Sequence, residues 1–131
     1  MKMVAKVKFT SYEESVYKAL DLLNLDFSQI NHQRIVVKPN LVTEVPYPTT
    51  SHPKFIKAIC DYFKERCQNS EIIIAESTPN NATKLFHKHG LDKIGYRCVD
   101  LDKVDYYVSF CANAPIKLYN LIFYYKYIII Y

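Results

Sequence analysis

Apolar residues first recur with a period of two. Met3, Ala5, Val7 and Phe9 interleave with Lys2, Val4, Lys6 and Lys8, the pattern of a half-buried strand whose lysine face suits a sheet edge. Ser11-Tyr12-Glu13-Glu14 then reads as a capping box: the Ser11 hydroxyl accepts from the Glu14 amide while the Glu14 carboxylate reaches back. Val16, Ala19, Leu20 and Leu23 follow at helical spacing and predict a helix over roughly 12–24 with one face against a sheet.

Residues 34–38 (RIVVK) form a compact apolar run stopped by Pro39, as expected of a short buried strand. The next stretch, 39–52 (PNLVTEVPYPTTSH), holds three prolines and no helical period. Connections in compact α/β units usually need only about 2 to 6 residues, so a loop this long points to a purpose. Pro53 suits a helix start, and Phe55, Ile56, Ile59, Cys60, Phe63 and Cys67 make one apolar stripe to about residue 67. Residues 71–75 (EIIIA) are the clearest buried strand, followed by a loop at 76–80. A short helix over 81–89, with Leu85 and Phe86 inward and Gly90 as its stop, leads to a strand over 97–101, and the alternation over 104–110 predicts another. This β-α order predicts right-handed βαβ units, hence an α/β fold with three layers and a largely parallel sheet.

Composition narrows the class. The chain has 131 residues, half of them hydrophobic and 23% charged, which suits one globular domain and excludes disordered and fibrous classes. The net charge of +4 is spread without a dense cationic cluster, so no nucleic-acid partner is expected. Lysines at 2, 6 and 8 interrupt any signal-peptide core, and the four cysteines show no CxxC pair, so a cytoplasmic chain with reduced thiols is expected. Residues 116–131 differ from the α/β part at 1–115: they are apolar and aromatic, with Lys117 and Lys126 as their only charged side chains. Broken by Lys117, Asn120 and Lys126, the tail is too short for the ~20 apolar residues of a membrane span. Its composition instead suits a pair of strands that could self-associate.

Ligands of open α/β sheets bind beyond the carboxyl ends of parallel strands. There the sequence offers Lys38, Asn40, Thr49, Thr50, Ser51 and His52 after the first strand, Glu76, Ser77, Thr78 and Asn80 after the second, and Asp100 and Asp102 after the third. The helix starting at Pro53 would aim free amides and its positive dipole end at the first group, and Lys38 would add a full charge, so an anionic small molecule is the expected ligand. In that reading Asn40 and Thr50 donate hydrogen bonds and His52 acts as acid or base. The bland alternative is that Thr50, Ser51 and His52 cap the helix while Lys38 faces water. A cation held by Glu76, Asp100 and Asp102 is less favoured than solvated acidic turns, and no metal is assigned. His87 and His89 fall on different helix faces and are expected at the surface, while Cys60 and Cys67 are expected to be buried. With only Gly90 and Gly95 in the chain, neither a dinucleotide fingerprint nor a phosphate-binding P-loop is present.

The strings IVVKPNLV at 35–42, TTSHP at 49–53, IIIAES at 72–77 and VDLD at 99–102, with Gly95 and Tyr96 between the last two, resemble the family called domain of unknown function 362. Ser51, inserted between Thr50 and His52, departs from that pattern. The resemblance covers about residues 3–105 and implies an α/β domain without implying a reaction. Some members of the family carry cysteine-ligated iron-sulfur clusters, but this chain lacks the segment, so no such cluster is expected. Elements found later in the family are also missing, so the chain reads as an N-terminal portion of that domain. The two resulting expectations are an anion- or phosphometabolite-binding part of an enzyme, and an incomplete, non-catalytic domain acting through strand pairing with a partner.

Overall fold

A computed structural model describes residues 4–32, 34–103, 121–124 and 127–130. Helix α1 (Tyr12–Asp21) is capped as the sequence predicts, the Ser11 hydroxyl accepting from the Glu14 amide at 3.1 Å. The return arm differs, because the Glu14 carboxylate accepts from the Thr10 hydroxyl. After the short α2 (Phe27–Ile30) come β1 (Arg34–Val37), α3 (Pro53–Arg66), β2 (Glu71–Glu76), α4 (Ala82–Lys88), β3 (Arg97–Asp100), β4 (Leu121–Tyr124) and β5 (Tyr127–Ile130). Gly90 stops the α4 segment at φ 72°, a left-handed conformation that glycine adopts without a Cβ penalty.

The strands form one sheet in the order β3-β2-β1-β5-β4. β1 pairs in parallel with β2 on one side and β5 on the other, β2 pairs in parallel with β3, and β4 joins β5 antiparallel. The sheet is thus largely parallel, and the tail supplies two strands as expected. The strand expected over 104–110 lies outside the described residues, as does the connection to β4 beyond the short 3-10 turn Leu101–Lys103.

Alternation along β1 and β2 divides the core. Ile35, Val37, Ile72 and Ile74 join the main cluster with Val16, Ile30, Phe63 and Phe86, so the described helices cover one face. Ile73, Ala75 and Val99 form a smaller cluster on the other. In α3 the predicted stripe holds for Ile56, Ile59, Cys60, Phe63 and Cys67, but Phe55 stays 38% exposed.

Two expectations fail. Residues 4–9 form no strand: Ala5 and Val7 are half-buried and Lys6 and Lys8 exposed, but the segment pairs with none of the five strands. Alternation records two environments, not a hydrogen-bonded partner. Helix α1 ends at Asp21, and it packs on α3 rather than directly on the sheet. The Tyr62 hydroxyl donates to Asp21, the Tyr17 hydroxyl to Glu65, and Arg66 lies 3.7 Å over the Tyr62 ring while pairing with Asp21.

Candidate functional site

The long loop after β1 is built by its own polar groups. The Asn40 amide donates to the Ser51 hydroxyl at 2.9 Å, the Ser51 amide returns to the Asn40 carbonyl at 3.0 Å, and Asn40 Nδ2 donates to the Thr49 carbonyl at 2.9 Å. These bonds close residues 40–51 into an Ω-like loop, pinned to the core by buried Leu41 and Thr50. The Thr50 hydroxyl is spent inside the loop, donating to the Val45 carbonyl. A second anchor comes from the α4 side, where Asn80 Nδ2 donates to the Val42 carbonyl, Lys84 pairs with Glu44, and His89 Nε2 meets the Thr43 carbonyl at 2.9 Å. His89 therefore holds the loop instead of standing free at the surface, whereas His87 is exposed beside Asp92.

The amides expected to be free at the start of α3 are not. Pro53 has none, the Lys54 amide donates to His52 Nδ1 at 3.1 Å, and the Phe55 and Ile56 amides both donate to the His52 carbonyl. His52 is thus the helix cap that the bland reading anticipated. Because Nδ1 accepts, the proton of the neutral ring sits on Nε2.

One strand further along the rim, the sequence-predicted residues do converge. Lys38, just past β1, places Nζ 2.8 Å from Oε2 of Glu76 at the end of β2, and Oε1 of the same carboxylate accepts from the Ser77 amide at 2.9 Å. The Glu76 side chain is 4% exposed and that of Lys38 33%. Beyond them the Ser77 hydroxyl donates to Asp102 at 2.6 Å, and the Thr78 amide donates to the other oxygen of that carboxylate. Asp100 accepts from the Thr83 amide and hydroxyl and pairs with Lys103 at 3.1 Å. Burial pushes the Asp100 carboxyl up, but the Thr83, Lys103 and Asp102 hydrogen bonds outweigh it and hold the group below the usual carboxylate range. Glu76, Asp100 and Asp102 are each turned to a different partner, and among the described residues no cluster of three His, Cys, Asp or Glu side chains is placed to hold a metal.

Asn40, Thr50, Ser51 and His52 instead line an open cleft of about 540 Å³ between the amino-terminal segment, α1, the loop and the start of α3. Its walls are aromatic: Tyr12 stacks on His52 with centroids 4.6 Å apart, and Tyr47 meets His52 edge-on at 5.8 Å. Sequence spacing could not have found this cleft, because Tyr12, Tyr47 and Phe55 belong to segments that only the fold brings together. Thr49 is exposed, and Lys38, Glu76 and Ser77 do not line the cleft. Cys60 and Cys67 are buried, as expected, and burial pushes the Cys60 thiol up to about 12 and raises Cys67 as well.

Among the described residues, no helix is long and apolar enough to cross a membrane. Comparison with curated proteins and with solved structures returned no match. The family model for a domain of unknown function, DUF362, matches residues 35–130. The match begins later than the motif resemblance and runs on through the aromatic tail. It takes in β1, the loop, the Lys38–Glu76 pair and both tail strands. This chain is therefore a member of the domain of unknown function 362 family.

Proposed function

We propose that the carboxyl rim of the parallel sheet binds a small anion, with Lys38 as its cationic group, and that the chain is the anion- or phosphometabolite-binding part of an enzyme domain. The observation that carries this reading is the Lys38–Glu76 pair. Removing a carboxylate from water is costly, and two apolar side chains would stabilise the same place as well or better, so such a pair suits a functional role.

Its position supports the reading. From β1 the sheet grows to β2 on one side and to β5 on the other, so the end of β1 lies at the topological switch point, where open sheets of this class bind ligands. Glu76 is also held by the Ser77 amide, so it stays fixed when the flexible lysine stem, one-third exposed, turns toward an incoming anion. The α3 amides and the Thr50 hydroxyl take no part, because each already has an acceptor.

Calorimetry with inorganic phosphate and pyrophosphate tests this. The unaltered chain should give saturable heat that vanishes in the double variant Lys38→Met/Glu76→Leu, which removes both charges of the pair together and so avoids an orphaned buried carboxylate. Equal heats in the two proteins would end the proposal.

A further inference from the structure

The aromatic cleft owes nothing to Lys38. Rings from three segments, Phe9 with Tyr12, Tyr47, and His52 with Phe55, surround a space within the usual size range of small-molecule pockets. Phe9 and Tyr47 remain 62% and 60% exposed, apolar area that folding leaves uncovered. Among the described residues no lysine, arginine, aspartate or glutamate lines the cleft.

Most of its polar atoms are already engaged. The Ser15 hydroxyl oxygen accepts from the Thr10 amide, that of Ser51 accepts from the Asn40 amide, and Thr50 and Asn40 Nδ2 donate to loop carbonyls. Among the described residues no partner is seen for Asn40 Oδ1, an acceptor, for His52 Nε2, the donor left when Nδ1 caps α3, or for the hydroxyls of Tyr12 and Tyr47, which can donate or accept.

The geometry points to a binding site for a small, planar, uncharged heteroaromatic ring that carries both a hydrogen-bond donor and an acceptor. Aromatic walls favour a flat π-face over a saturated ring of equal area. The cleft itself presents no charged side chain to a ligand, the charges of Glu13, Lys54 and Lys57 lining the adjoining groove instead. The Asn40 acceptor, the His52 donor and the two tyrosine hydroxyls offer both kinds of partner to the edge of a heteroaromatic ring, which fixes orientation without requiring charge.

Saturation-transfer NMR on the full chain tests the site, with adenine as probe and cyclohexanecarboxamide as the saturated control. Tyr47→Ala and Phe9→Ala remove exposed rings, and circular dichroism melts verify that both variants fold. Adenine should receive saturation from the unaltered chain, bind about fivefold more weakly to each ring variant, and bind undiminished to Lys38→Met/Glu76→Leu. No transfer to adenine, binding by Tyr47→Ala and Phe9→Ala as tight as by the unaltered chain, or a control that matches adenine would overturn the site. Adenine binding that survives the loss of phosphate heat, or the reverse, tells which of the two sites has failed.

Discussion

Two ion pairs cross from β1 to β2, one at each end of the strands. At the amino end Arg34 meets Glu71, which also reaches Arg97 on β3 at 3.4 Å, and the partners stay 35% to 63% exposed. At the carboxyl end the Glu76 carboxylate is nearly sealed beneath Lys38. The chemistry is the same, an acid and a base on neighbouring parallel strands, but the dielectric around it differs. Exposed pairs gain little because water and salt compete, whereas a buried carboxylate depends on its partner. The amino end is a solvated ladder that tolerates change, and the carboxyl end is a place where one side chain decides whether a charge is compensated.

The largest predicted effect follows directly. Lys38→Ala leaves Glu76 buried without its cation and should cost about 3 kcal/mol in urea denaturation, while Lys38→Met/Glu76→Leu should return stability to near the unaltered value. If the single variant loses no more than an exposed pair does, the two ends of the sheet are equivalent and the comparison fails.

A middle-sized effect belongs to Asp100. Its carboxyl lies below the usual range in the folded chain, so its contribution is fully present above the unfolded value, near 4, and is lost as pH falls through the folded value. Asp100→Asn should cost about 1 kcal/mol near neutral pH and flatten the acid limb of the stability curve. An unchanged acid limb would show that Thr83 and Lys103 do not set this group's titration.

The smallest effect is expected at the amino end. Glu71→Ala should change stability by no more than about 1 kcal/mol, and by less in high salt, as measured by thermal melts at two ionic strengths. A salt-insensitive loss comparable to that of Lys38→Ala would mean that the ladder, not the rim, holds β1 to β2.

Where a compact apolar run or a helical stripe coincides with burial, the sequence predicts the element that forms. RIVV, EIIIAE and RCVD are strands, and the α3 stripe from Ile56 to Cys67 faces the core, because burial and local backbone preference agree there. Residues 4–9 differ: their alternation describes two surroundings but specifies no hydrogen-bonded partner, and the segment joins none of the five strands. The α3 start misled differently. Residue types announced a cap or an anion site, and only the His52 side-chain and carbonyl positions show the amides already satisfied.

The sequence by itself determined the βαβ order, the helix limits set by Ser11, Pro53 and Gly90, and the collection of polar groups behind the strand ends, since all of these are short-range properties of the chain. Tertiary structure alone decided which polar groups face each other: Lys38 with Glu76 and Ser77 with Asp102, while Tyr12 and Tyr47 close on His52. The reason is that hydrogen bonds, charge compensation and ring contacts act over a few ångströms in space, and sequence distance does not encode those separations.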